Sequence, residues 1–136
     1  MSATNAVTLT GTVDTIAATI TGAGQGFTYT DTASNTATPL TIGTVGAIAG
    51  IETNNGSISV STTNRPITVS NTGDADDVDI DGNNAGGATA TITLSTGSVG
   101  NNRALTIAAM ADVDATGSGA ASGVTLVGDN IDITGT

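Results

Sequence analysis

The sequence predicts an all-β chain, folded as a single-domain β-solenoid. Three observations predict it. First, ten triplets place a large apolar residue on each side of one Thr, Ser or Asp, as in Val7-Thr8-Leu9 and Ile92-Thr93-Leu94. Apolar-polar-apolar at period two is the pattern of a short strand with one buried face and one wet face. Second, Thr, Ile and Val supply 50 of the 136 residues, and β-branched side chains suit a pleated surface better than a helix. Third, Phe27 and Tyr29 are the only aromatics. An interior of Val, Ile, Leu and Ala without large rings must be narrow, which favours a slim stack of coils over a thick globule.

Taken along the chain, the strands begin with Val7-Thr8-Leu9 and a weaker candidate from Val13 to Ile20. Phe27-Thr28-Tyr29 and Leu40-Thr41-Ile42 follow, with Gly22-Ala23-Gly24 as the turn before them. A second weak candidate runs from Val45 to Ile51. Ile58-Ser59-Val60 comes after the turn Asn54-Asn55-Gly56, and Ile67-Thr68-Val69 after Pro66. Pro39 and Pro66 each stand just before a triplet, where a missing N–H does least damage. Val78-Asp79-Ile80 runs into the turn Asp81-Gly82-Asn83-Asn84, and Ile92-Thr93-Leu94 is the next strand. Leu105-Thr106-Ile107 follows Gly100-Asn101-Asn102; residues Ala104 to Ala111 read as a strand and a bend, too short for a stable helix. Val113-Asp114-Ala115 is a third weak candidate, and Val124-Thr125-Leu126 and Ile131-Asp132-Ile133 close the series.

One strand plus turn takes roughly ten residues, the spacing of a sandwich, barrel or solenoid. The alternative is an antiparallel Ig-like β-sandwich, which lacks here its usual buried Trp, Cys pair and tyrosine corner. At about twenty residues per coil and about 4.8 Å between stacked strands, six or seven coils give a rod of order 30 Å. No linker or composition shift divides the chain, so residues 1–136 are read as one β domain.

The stretch from Thr12 to Val69 carries Thr12-Val13-Asp14-Thr15-Ile16-Ala17-Ala18 and Gly26-Phe27-Thr28-Tyr29-Thr30-Asp31. It continues with Pro39-Leu40-Thr41-Ile42-Gly43-Thr44-Val45-Gly46 and with Gly50-Ile51-Glu52-Thr53-Asn54-Asn55-Gly56-Ser57-Ile58-Ser59-Val60. In these phrases it resembles the repeat regions of large secreted bacterial exoproteins, the filamentous-haemagglutinin-like adhesins and related β-strand-repeat surface proteins. The C-terminal half resembles them in composition and triplets only. The resemblance implies a right-handed parallel β-helix forming a long, rigid, exported rod, of which this chain is a piece. It supplies no binding residues.

Charge and composition exclude several functions. The net charge is −10, with Arg65 and Arg103 as the only Lys or Arg residues and no His. Two Arg cannot neutralise a run of phosphates, so no nucleic-acid partner is expected. No apolar run reaches membrane-spanning length, so no membrane insertion is expected. Without His, Cys or Lys, Ser-His and Cys-His pairs, Schiff bases and His-metal sites cannot be built within the chain. Paired carboxylates can hydrolyse glycosides, but the stacking aromatics and cations that accompany them are nearly absent. The chain reads as non-catalytic.

Asp outnumbers Glu eleven to one, first of all because Asp suits turns. The densest cluster runs from Asp74 to Asn84. Within it Asp77, Asp79 and Asp81, followed by Gly82, match the opening of a calcium-binding EF-hand loop. The twelfth loop position would be Ala88, and no flanking helices are expected, so a complete EF-hand is ruled out. Two readings stay open: a weak Ca²⁺ site, or a solvated acidic strand with these three carboxylates on one face. No other cofactor is expected. Arg65 and Arg103 fall in turns, as solubilising residues or as partners of an acidic turn on a neighbouring coil. Asn55-Gly56-Ser57 is a glycosylation sequon better explained as a tight turn. Phe27 and Tyr29 share one face as core filler or end cap.

The expected role is structural: a rigid β-helical stalk in an extracellular or cell-surface bacterial protein, contributing to adhesion to a host or matrix receptor. No signal peptide is recognisable after Met1, as expected of a segment of a larger exported protein or of export by another signal. The alternative is a self-assembling subunit of an extracellular filament or surface layer, with calcium as an assisting ion. Uncapped coil ends expose strand edges that recruit another copy, so a homo-oligomer formed by end-to-end stacking is expected.

Overall fold

The structure is a computed structural model, and it describes residues 1–33, 38–73, 80–82, 90–97, 103–115 and 122–134. Fifteen short strands occur in these segments and no helix. They are β1 (Ser2–Ala3), β2 (Val7–Gly11), β3 (Thr15–Ile16), β4 (Ala18–Ile20), β5 (Phe27–Asp31), β6 (Leu40–Ile42), β7 (Ile51–Thr53) and β8 (Ile58–Thr62). The series continues with β9 (Ile67–Val69), β10 (Ile80–Asp81), β11 (Thr91–Ser95), β12 (Ala104–Ile107), β13 (Val113–Asp114), β14 (Gly123–Val127) and β15 (Asn130–Ile133).

Every third strand joins the same sheet. The first sheet orders β1-β4-β7-β10-β13, the second β2-β5-β8-β11-β14 and the third β3-β6-β9-β12-β15. All ladder pairings between these strands are parallel. The chain therefore winds as five coils of three strands each, a parallel β-solenoid. The antiparallel sandwich is excluded, because hairpin-linked strands would pair with their sequence neighbours. An isolated antiparallel bridge, Val45 with Ile48, sits in a corner loop.

Coil length departs from expectation. Following the second sheet, Val7 pairs with Phe27, Phe27 with Ile58, Ile58 with Ile92 and Ile92 with Val124. Only the first of these steps takes twenty residues; the others take 31, 34 and 32. The unit of about ten residues was right, but three units rather than two complete a turn. Five coils result instead of six or seven, and five strands at about 4.8 Å make a stack of about 20 Å.

Strand alternation sets the core. In β5, β6, β8 and β9 the inward positions are buried and the outward ones half-exposed. The interior is a set of aliphatic columns, such as Ile58-Ile92 and Val60-Leu94 in the second sheet and Leu40-Ile67-Leu105 in the third. Phe27 and Tyr29 lie in the same columns, buried in the second coil, as core residues. The weak candidates also resolve into structure. Residues 13–20 hold β3 and β4, and β13 opens at Val113, whereas of Val45 to Ile51 only Ile51 is strand, as the start of β7. Ala104–Ile107 is a strand followed by a turn at residues 109–110, with Met110 at a φ of 63°.

Candidate functional site

The sides of the solenoid differ in chemistry because register places like residues above like. On the first sheet Asp81 pairs in register with Glu52 on one side and with Asp114 on the other. Ile80 points inward and is fully buried, so Asp81 points out. Three carboxylates thus form a column on one outer face, at the ladder spacing of about 4.8 Å. An open groove of about 320 Å³ lies beside it, lined by Thr19, Thr21, Glu52, Asn54 and Asp81. Of the expected calcium residues, Asp77 and Asp79 lie outside the described residues. Asp81 is brought together with Glu52 and Asp114, which its sequence neighbourhood did not suggest. Among the described residues no group of three or more acidic side chains is gathered closely enough to hold a metal ion.

The second sheet presents a different outer surface. Its outward positions in register are Thr8, Thr28, Ser59, Thr93 and Thr125 in one column. Thr10, Thr30, Ser61, Ser95 and Val127 form the next. Nine of these ten residues carry a hydroxyl and none is charged. The third sheet carries a single column, Thr15, Thr41, Thr68, Thr106 and Asp132.

The corner between the second and third sheets holds a buried polar cluster. Inward positions here are Gly11, Asp31 and Thr62 in register, and Thr96 is buried just beyond the end of β11. Arg65 lies in the third coil and is only 2% exposed. Its guanidinium reaches back across two coils. Nε donates to Thr38 O at 2.8 Å, Nη1 to Val13 O at 2.8 Å, and Nη2 to Pro39 O at 2.8 Å. Nη1 also approaches Asp31 Oδ1 at 3.5 Å, and Nη2 approaches Asp14 Oδ1 at 3.2 Å. Five donors in a planar fork suit such a set of acceptors, which an ammonium could not satisfy. The Thr62 hydroxyl donates to Arg65 O at 2.6 Å and fixes the loop that carries it. Tyr29 Oη donates to Gly11 O at 3.0 Å and lies 3.5 Å from Asp31 Oδ1. Burial, and then the Asp31 carboxylate, push the Tyr29 phenol above its usual pKa.

Arg103 occupies the same corner one coil on, half-exposed, with Nε donating to Asn64 Oδ1 at 3.1 Å and its backbone N–H to Asp129 Oδ2 at 3.3 Å. Both arginines therefore bind neighbouring coils rather than serving only as surface charge. The sequence carried a signal for this: each Arg follows a Ser-Thr pair, Ser61-Thr62 or Ser95-Thr96, in the same corner of successive coils. Asn55 has a φ of 61°, and a Cβ on Gly56 would lie 1.9 Å from Gln25 O. The Asn-Gly pair is thus the tight turn expected, with the glycine required by the coil beneath it.

Fold and faces together define a three-sided parallel β-solenoid whose outer rows repeat one chemistry per side. No family model matches the chain, and neither the curated proteins nor the solved structures contain a match to it.

Proposed function

We propose that the chain is a structural, non-catalytic part of an exported bacterial surface or matrix protein, acting as a stiff β-helical stalk in adhesion. The observation that carries this reading is the contrast between middle and end coils. Inward residues of the second to fourth coils, such as Ile58, Val60, Ile92 and Leu94, are fully buried. Their counterparts at the ends are open: Leu9 is 42% exposed, Val124 42% and Ile133 61%. Surfaces of this kind can accept a further coil, of the same chain or of another, as in any stack whose units bury their apolar faces on neighbours. The composition supports a non-enzymatic role, since the chain has no His, Cys or Lys to act as base or nucleophile.

The match between the two ends favours a second reading, a self-assembling subunit. β14 and β2 are each five residues long and each holds an apolar-Thr-apolar triplet, Val124-Thr125-Leu126 and Val7-Thr8-Leu9, so one copy's last coil can add to another's first by parallel strand pairing. Calcium assistance through the acidic column belongs to this reading. Sedimentation of the purified chain over a wide concentration range, with and without chelator, separates the two. A monomer throughout supports the stalk, and growing polymers support the subunit. A compact particle with polysaccharide-cleaving activity would overturn both.

A further inference from the structure

We propose that the outer face of the second sheet binds ice. The observations are the double column of hydroxyls, its regularity and its neutrality. Columns repeat at the strand spacing of about 4.8 Å, and outward residues along a strand are separated by about 6.6 Å. The strand spacing is close to the shorter repeat of the oxygen lattice of hexagonal ice, and the separation along the strand falls somewhat short of the longer one. The register runs through all five strands without a slip, so the grid has two dimensions rather than one.

Composition alone does not produce this face. Ser and Thr make up 38 of 136 residues, yet nine of the ten positions in these two columns carry a hydroxyl. The equivalent column of the first sheet runs Ser2, Thr19, Glu52, Asp81 and Asp114, with a carboxylate at three of its five positions. A chain of net charge −10 thus keeps charge off one side entirely among the described residues. Charged groups orient water about themselves, whereas a neutral row of hydroxyls and methyls leaves it free to adopt the lattice.

The hydroxyls are also available. Thr30 and Ser61 bond to one another at 3.4 Å. Thr8, Thr10, Thr28, Ser59, Thr93, Ser95 and Thr125 have no side-chain partner within the described residues. Each can donate one bond and accept others from water. Thr side chains are stiff at χ1, and the ladder holds their backbones, so little freedom is lost on contact. Individually weak contacts then act together across one rigid surface. A carbohydrate platform is a poorer fit, because both aromatics are buried. Because the face is a side and not an end, ice binding does not depend on how the coils continue.

The test is ice growth in dilute solutions of the full chain. Protein is expected to concentrate in a slowly grown ice fraction and to open a gap between melting and freezing temperatures. Thr28→Tyr with Thr93→Tyr places bulk on the face and is expected to abolish both effects. Thr41→Tyr with Thr68→Tyr, on the third sheet, is expected to preserve them. Circular dichroism and thermal melts confirm that each variant folds; if the first pair does not fold, Thr28→Lys serves in its place. Exclusion of the wild-type chain from ice overturns the proposal without any variant. Equal losses in the two pairs of variants overturn it, as does a face-to-face dimer that dissociates on Thr28→Tyr.

Discussion

The Arg65 guanidinium lies 3.5 Å from Asp31 Oδ1, and both side chains are cut off from solvent, at 2% and 0% exposure. The pair joins the third coil to the second at the corner where the interior changes from aliphatic to polar. Arg65→Met is expected to cost about 3–5 kcal/mol, because removal of one partner leaves the other charge buried and uncompensated. Arg65→Lys recovers only part, since an ammonium cannot reach three carbonyls and two carboxylates at once. Asp31→Asn costs less than either, because Arg65 keeps its carbonyl acceptors at Thr38, Val13 and Pro39. Urea unfolding of the three variants measures the order.

Tyr29 makes stability fall at high pH. Its pKa is raised in the folded chain, by burial first and by Asp31 second, so the folded state holds the phenolic proton more tightly than the unfolded state. The resulting stabilisation is complete below the ordinary phenol value of about 10 and is lost as pH rises through the folded value. The melting temperature should therefore decline above about pH 10, together with the appearance of phenolate absorbance. Tyr29→Phe flattens that decline but lowers stability at neutral pH by about 1 kcal/mol, through loss of the bond to Gly11 O.

Position within the stack decides what a core residue is worth. Leu94 is fully buried, whereas its register partners lead to Leu9, which is open at the first coil. Leu94→Ala is expected to cost about 2–5 kcal/mol, and Leu9→Ala clearly less, in the same unfolding assay. Equal costs would mean that Leu9 is covered in solution, and sedimentation would then reveal the association.

Gly97 has a φ of 79°, and a Cβ there would meet Thr62 O at 2.3 Å and Thr63 O at 2.7 Å. Backbone on the coil below cannot yield as a side chain would. Gly97→Ala should destabilise by more than the roughly 1 kcal/mol seen where only glycine's conformation matters. Gly11→Ala, with nothing within 4 Å of the added carbon, is the matched control for thermal melting.

Like charges in register oppose one another, so the acidic column should weaken the stack slightly. Asp114→Asn relieves repulsion from Asp81 and is expected to add a few tenths of a kcal/mol to about 1 kcal/mol at low salt. The gain should vanish at about 1 M salt, where the screening length is about 3 Å. Thermal melts at two salt concentrations decide it.

Much of this architecture was legible because strand alternation is a local property. Nine of the ten triplets lie within strands, and for Val78-Asp79-Ile80 only Ile80 falls among the described residues, at the start of β10. What stayed hidden was non-local. The size of a coil depends on what joins its strands, and residues 43–50 lengthen the second coil without altering any strand. β7 was legible only at Ile51, because Thr53 takes the inward place of an aliphatic, its hydroxyl satisfied by Gly56 O at 2.6 Å. Asp31 escaped notice for the same reason: it looks like a turn residue, yet its place in the ladder points it inward to Arg65. The acidic column joins Glu52, Asp81 and Asp114 from three separate coils, and only register brings them together.

Parallel, in-register stacking of successive coils underlies every property above, and cross-linking tests it most directly. The chain has no native cysteine to interfere, and Thr30 and Ser61 are register partners with hydroxyl oxygens 3.4 Å apart. Adjacent strands bring backbones to about 4.8 Å, within the span a disulfide bridges. Thr30→Cys with Ser61→Cys should oxidise rapidly to an intramolecular disulfide and raise the melting temperature, whereas Thr30→Cys with Thr125→Cys, three coils apart, should not close. Failure of the first pair to close in folded protein, or equal closure of both pairs, would contradict the solenoid.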